Sequence, residues 1–324
     1  MRSLITGAGG FAGSHLADCL LSGASGSDEV WGSDLSGRRR PYHPAALQMV
    51  AADLRDPAAA ARLIEQTRPD RIYHLAGQAF VGDSWSSPWE TIETNMRAQV
   101  NLLEAVAASG LRPRTLVVGS ADVYGRVPDN CLPIAEDCPL QPDSPYAVSK
   151  VGQDMLGVQY GLSHNLDVVR VRPFNHIGPR QNRRFVAPAF ASQIAAIEAG
   201  RQAPVLKVGN LSARRDFTDV RDMVGAYVLA LEQGEAGSVY NIGSGRSRSI
   251  QELLNQLLGL ARRSIKVELD TGRLRPVDVA ELVCDASRFQ ARTQWAPRIP
   301  FEQSLNDLLD YERAVLAADP APAA

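Results

Sequence analysis

Thr6-Gly7-Ala8-Gly9-Gly10-Phe11-Ala12-Gly13 decides the fold. It follows a short β-rich run, Ser3–Thr6, and opens a helical pattern over about Ala12–Leu21. Glycines let a backbone turn sharply and approach a pyrophosphate closely. The helix N-terminus then turns N–H groups and partial positive charge toward that pyrophosphate. A second β-rich run, Glu29–Ser33, leads to Asp34, 21 residues beyond Gly13. Strand before, helix after and an acid at that spacing make this a dinucleotide-binding turn, with Gly7, Gly9, Gly10, Phe11, Ala12 and Gly13 at the cofactor. Asp34 suits a ribose 2′-hydroxyl and favours NAD, whereas Arg38 and Arg39 suit a 2′-phosphate and favour NADP. The cofactor expected is therefore NAD(P)H, with the choice open. Asp53-Leu54, after the apolar run Met49–Ala52, either borders the adenine ring or caps a helix over Pro57–Leu63.

Working outward, Arg71–Leu75, Thr115–Gly119 and Val168–Arg172 read as further strands. Their centres, such as Leu116-Val117-Val118, are almost continuously apolar, which suits parallel strands covered on both faces. Between them, Thr91–Ser109 carries Ile92, Met96, Val100, Leu103 and Val106 near a 3.6-residue period, bracketed by Pro88 and Gly110. The alternation predicts an α/β fold of the Rossmann type, a doubly wound parallel sheet. Past Pro173 the rhythm changes. A helix over about Pro188–Ala199, a strand at Ser238–Ile242, a helix at Ile250–Leu260, a strand at Ile265–Leu269 and a last helix from about Phe301 predict a smaller, interleaved α/β lobe. The division expected is residues 1–173 with about 217–245 for the cofactor, about 174–216 with 246–316 for the substrate, and a flexible tail over 317–324.

Composition narrows the function classes. Lys and Arg number 34 against 36 Asp and Glu, so no basic excess points to nucleic acid. Hydrophobic residues make up 45%, enough for a large core, yet no apolar run approaches the roughly 20 residues of a membrane span. Cys19, Cys131, Cys138 and Cys284 are scattered and suggest neither a zinc site nor a disulfide framework. Gly7–Gly10 interrupts the N-terminal apolar run, so a cytoplasmic location without a signal peptide is expected.

Tyr146-Ala147-Val148-Ser149-Lys150 places a phenol and an ammonium at i and i+4, on one helix face. The ammonium is expected to lower the phenol pKa, so that Tyr146 exchanges a proton with a carbonyl or alcohol near neutral pH. Ser120 ends the strand Thr115–Gly119 on the side where doubly wound sheets bind ligands. Behind a dinucleotide turn, Ser120, Tyr146 and Lys150 form a catalytic group that requires no metal.

These residues, with His74-Leu75-Ala76-Gly77, Asn95, Asn101–Ala105, Ser120–Gly125 and Arg170–Asn175, resemble the extended short-chain dehydrogenase/reductases of the NAD-dependent epimerase/dehydratase family. The resemblance implies that Ser120, Tyr146 and Lys150 are the catalytic triad. It also implies that Leu75, Ala76, Gly77, Asn95 and Pro173 line the cofactor. Phe174–Pro179, Val208–Leu211, Arg215–Asp222 and Arg273–Pro276 are similar to the GDP-mannose-derived branch, and within it to the reductases of GDP-4-keto-6-deoxy-mannose. That branch implies NAD(P)H-dependent reduction of the C4 ketone of a GDP-4-keto-6-deoxy-hexose, giving a GDP-6-deoxy-hexose such as GDP-D-rhamnose. The alternatives are a GDP-mannose 4,6-dehydratase and a sugar-nucleotide 4-epimerase. The dehydratases carry Glu where this chain has Asp122, whose carboxylate would sit about 1 Å back, a displacement that can cost about 10²-fold. Asp122 either takes part in catalysis or is hydrogen-bonded beside the pocket. Arg215 and Arg275 are expected on the substrate diphosphate, which a guanidinium grips with two parallel bonds. Asn175 is expected on the hexose or diphosphate and Asn210 on the guanine. The loop Arg180–Arg184 either faces phosphate or is solvated. Relatives pair Thr91–Ser109 and Tyr146–Ser163 in a four-helix interface, which implies a homodimer.

Overall fold

Leu4 and Ile5 face opposite cores, as do Ile72 and Tyr73, and Leu116 and Val117. Alternate residues of continuous apolar runs thus enter two separate clusters, the behaviour of strands with helices on both faces. In the computed structural model, which describes residues 1–23, 29–273 and 279–318, these runs build a seven-stranded sheet. Its strands are β1 (Arg2–Thr6), β2 (Glu29–Asp34), β3 (Gln48–Ala51), β4 (Arg71–His74), β5 (Arg114–Val118), β6 (Val168–Pro173) and, from much later in the chain, β10 (Val239–Ile242). The order is β10-β6-β5-β4-β1-β2-β3, every pair parallel. Strand order reverses on either side of β1, which opens a ligand crevice at the carboxyl ends. The fold is the Rossmann-type α/β sheet the sequence predicts.

Helices α1 (Phe11–Leu21) and α7 (Val220–Gln233) cover one face of the sheet; α2 (Pro57–Thr67), α4 (Pro88–Ala108) and α5 (Pro145–His164) cover the other. Local chemistry sets their ends. Pro88 is the first residue of α4 rather than a boundary outside it, because a residue without an N–H costs nothing at that position. Asp56, not Asp53, caps α2, accepting from Ala58 N at 2.9 Å. Ser144 caps α5, accepting from Ala147 N at 3.1 Å. α7 went unread in the sequence, although Val220, Met223, Val224, Tyr227, Val228 and Leu231 are buried at helical spacing.

A second core joins α6 (Val186–Glu198), α8 (Ile250–Gly259) and α10 (Phe301–Ala318). Against it lie β7 (Asn175–Ile177), β9 (Arg214–Asp219), β11 (Ser247–Ser249) and β13 (Glu281–Leu282), a small sheet centred on β9. β8 (Val205–Val208) pairs with β12 (Lys266–Leu269). The short helices α3 (Val81–Ser86) and α9 (Ser287–Thr293) complete the set. α10 continues through Ala317 and Ala318, residues expected in the tail; 319–324 lie outside the described residues. Among the described residues, no helix is long and apolar enough to cross a membrane.

Candidate active site

A cavity of about 1020 Å³ opens where β1, β4, β5 and β6 end, between the sheet and the second core. The glycine turn forms one wall. A Cβ on Gly9 would lie 2.2 Å from Asp34 Oδ2, and one on Gly13 would lie 2.3 Å from Gly7 O, so neither position admits a side chain as it stands. α1 begins at Phe11 with no side-chain cap, leaving its N-terminus turned to the cavity without an internal acid. This cradle fits a dinucleotide pyrophosphate. Asp34 Oδ1 accepts from Ser36 N at 2.8 Å and Gly37 N at 2.7 Å, which folds the following loop back on itself. The fold-back brings Arg40 to the cavity beside Asp34 and keeps Arg38 and Arg39 off its lining; Arg39 instead donates to Ala45 O at 2.6 Å. Of the run Arg38–Arg40, Arg40 is therefore the residue that lines the cavity, and not the Arg38 and Arg39 expected there.

Ser120, Asp122, Tyr146 and Lys150 line the same cavity. Ser120 follows β5 in extended conformation, and its Oγ accepts from Asp122 N at 3.1 Å. Lys150 Nζ stands 5.9 Å from the Tyr146 ring centroid and donates to Val118 O at 3.1 Å. Burial pushes the Tyr146 phenol pKa up, the Asp122 carboxylate adds to that, and a hydrogen bond with Ser120 opposes both. Burial also brings Lys150 down to about 8. The expectation of a lowered phenol pKa is thus reversed in the cavity as it stands, because desolvation of the phenolate outweighs its stabilisation. The outcome is a tyrosine that stays protonated at neutral pH.

Leu75, Ala76, Gly77, Pro173, Asn175, Asn210 and Arg215 also reach the cavity, as expected of them. Arg215 Nη1 donates to Arg214 O at 2.8 Å and Val279 O at 2.7 Å, which fixes its arm. Asn210 Oδ1 accepts from Ser212 N at 3.0 Å. Arg275 lies outside the described residues. Three residues expected at the cofactor are not among the lining residues. Asn95 is fully buried, with Oδ1 accepting from Gln78 N at 2.7 Å and Nδ2 donating to Ser149 Oγ at 2.9 Å, so it holds the loop after Gly77 against α5. Leu54 packs in the core with Leu63 and Ile64. Asp53 is bound by Arg55, whose Nη2 lies 2.8 Å from Oδ2.

Arg180, Arg183 and Arg184, expected either to face phosphate or to be solvated, each find a carboxylate. Arg180 pairs with Asp18, Arg183 with Glu312 and Arg184 with Asp83. Arg184 also lies 3.9 Å over the Phe80 ring, and Phe80 meets Phe185 edge-on at 5.5 Å. Phe80 and Phe185 line the cavity together with Arg184, and these two rings were not read from the sequence. The signal available was position, since loops following strand ends on this side carry ligand contacts.

Residues 4–308 match the family model described as GDP-mannose 4,6 dehydratase. The chain is 36% identical over 317 residues to the GDP-6-deoxy-D-mannose reductase of Pseudomonas aeruginosa, covering 97% of this chain and 98% of that protein. Among solved structures it is similar to RMD from Pseudomonas aeruginosa complexed with NADPH, with TM-score 0.86 and 34% identity over 97% of this chain and 99% of that one. It is also similar to the Thermus thermophilus UDP-glucose 4-epimerase complexed with NAD, with TM-score 0.86 and 30% identity over 97% of this chain and 99% of that one.

Proposed function

Since the chain belongs to the GDP-mannose 4,6-dehydratase family of extended short-chain dehydrogenase/reductases, NAD(P)-dependent enzymes, we propose that it reduces the C4 ketone of a GDP-4-keto-6-deoxy-hexose to a GDP-6-deoxy-hexose such as GDP-D-rhamnose. The observation carrying this reading is the meeting of Ser120, Tyr146 and Lys150 with the glycine turn in one cavity. Bound NAD(P)H supplies a hydride for the ketone carbon. Tyr146, kept protonated by burial, gives its proton to the ketone oxygen. Ser120 donates a hydrogen bond to that same oxygen. Lys150 keeps an ammonium beside the phenol and has donors left for the ribose hydroxyls. Asp122, with its short arm, holds a sugar hydroxyl. Arg215 takes the diphosphate, and Asn175 and Asn210 take the hexose and guanine. Arg275 is assigned to the diphosphate on its sequence alone.

The test is turnover with a stoichiometric count. GDP-4-keto-6-deoxy-mannose should be reduced with one NAD(P)H consumed per product. Conversion of GDP-mannose without added reductant would place the chain among the lyases instead.

Residues 1–173 with about 217–245 are proposed to hold the cofactor, and about 174–216 with 246–316 the sugar nucleotide. A cytoplasmic homodimer is proposed as the working form. Val148, Met155 and Leu162 stand exposed at seven-residue spacing on α5, with Trp89 exposed on α4. A stripe of that period lies along one side of a helix, and a second copy would cover it.

Cofactor preference should respond to Asp34. Its carboxylate repels a 2′-phosphate that Arg40 would attract. Asp34→Ala should raise the ratio of kcat/KM for NADPH over NADH by about tenfold, the effect of roughly 1.4 kcal/mol. An unchanged ratio would remove Asp34 from the adenosine ribose. On the substrate side, losing a hydrogen bond to a charged group costs about 1.5–3 kcal/mol. Arg215→Ala should therefore weaken GDP binding by at least about tenfold, with NAD(P)H affinity held within about twofold. Calorimetric titration of both ligands decides it, and tighter binding of UDP than GDP by the wild type would refute the base assignment.

A further inference from the structure

Tyr227 carries a hydroxyl that no step above uses. It sits in the middle of α7, is 0% exposed, and lines the same cavity as Tyr146 and Lys150. Among the described residues, its hydroxyl has no hydrogen-bond partner. Most buried polar groups in native proteins are matched, so an orphan at a cavity wall asks what completes it. Side chains of a helix lean toward its N-terminus. The first residue of α7, Val220, packs in one cluster with Phe11, which lines the cavity. Tyr227 therefore leans toward the cavity end of its helix. Tyr227 belongs to the apolar cluster that also holds Leu116, Val171 and Val224, and the cavity it lines is where a polar partner for its hydroxyl can enter.

The cofactor proposed above has two ends. Its adenosine end belongs at Asp34, so its nicotinamide ring belongs near Tyr146, where hydride and proton must reach one carbonyl. Tyr227 lies within electrostatic reach of Tyr146. The carboxamide is the one hydrogen-bonding group on that ring. We propose that the Tyr227 hydroxyl hydrogen-bonds the nicotinamide carboxamide and so fixes which face of the ring is turned to the substrate. This rests on the dinucleotide reading of the cavity, and its test separates the two.

NAD(P)H and ADP-ribose, which lacks the nicotinamide ring, are titrated into wild type and Tyr227→Phe. The variant should bind NAD(P)H about threefold to tenfold more weakly, the loss of one neutral hydrogen bond. Its ADP-ribose affinity should stay within about twofold. Its melting temperature should not fall, because phenylalanine keeps the packing and removes an unmatched hydroxyl. With NAD(P)H deuterated on one face at C4, the variant should also transfer label from the face the wild type leaves untouched. Unchanged NAD(P)H affinity, or equal weakening of both ligands, would overturn the assignment of Tyr227. A wild type that bound neither ligand would overturn the dinucleotide reading beneath it.

Discussion

Tyr146→Phe is expected to lower turnover by about 10²–10⁴-fold, the range for a positioned general acid, while leaving fold and NAD(P)H binding intact. The ring is almost fully buried in the first turn of α5, and phenylalanine fills the same space. What is lost is the one proton that burial has held on the phenol beside Ser120. Lys150 and Ser120 remain, so the substrate still meets donors, but neither replaces a proton transfer in line with the arriving hydride. The check is kcat with saturating NAD(P)H and ketosugar, alongside cofactor affinity by fluorescence. A variant keeping a third of wild-type turnover would sink the proton-donor role.

Asp154→Ala should destabilise the protein by about 3–5 kcal/mol, the cost of leaving buried charge uncompensated. Asp154 on α5 is 1% exposed and binds two arginines of β6, with Arg170 Nη1 at 2.9 Å from Oδ1 and Arg172 Nε at 3.0 Å from Oδ2. Arg172 donates on to Tyr124 Oη at 2.8 Å, and Tyr124 donates to Asn241 Oδ1 at 2.7 Å. The alanine variant strands two guanidinium groups and loosens the chain segment that carries Ser120. A thermal melt should show a fall of roughly 4–7 °C. A shift of less than a few degrees would mean that water reaches the arginines. Replacing all three charged residues by apolar ones should cost less than Asp154→Ala alone.

The main sheet and the residues at its carboxyl edge were legible because their signals are local. A glycine turn, continuous apolar strands and a Tyr–Lys pair at helical spacing each need only a few neighbouring residues. The second core was less legible for the same reason. β9 is Arg214-Arg215-Asp216-Phe217-Thr218-Asp219, which no apolar alternation marks as a strand. It is held by Asp216, whose buried carboxylate accepts from Ser244 N at 2.8 Å and Cys284 N at 3.1 Å, partners 28 and 68 residues away. That Arg40 rather than Arg38 or Arg39 lines the cavity was not legible, because the Asp34-centred loop sets which arginine faces inward. Asn95 belonged to the site at one remove, holding its wall from behind.

The interleaving of the two cores has a consequence for the order in which the molecule can be made. β10 closes the edge of the main sheet, yet it leaves the ribosome only after β7, α6, β8 and β9 have appeared. The second core in turn waits for Phe301, Leu305, Leu308 and Leu309 of α10. Neither half can finish before the other has begun, so the nascent chain must carry an open sheet edge and an uncovered apolar helix α6 for much of its synthesis. Contacts so distant in sequence form slowly and leave that edge available to neighbours. The cleft between the halves is accordingly among the last features to form, and refolding yield should fall with protein concentration well before the cofactor wall itself is at fault.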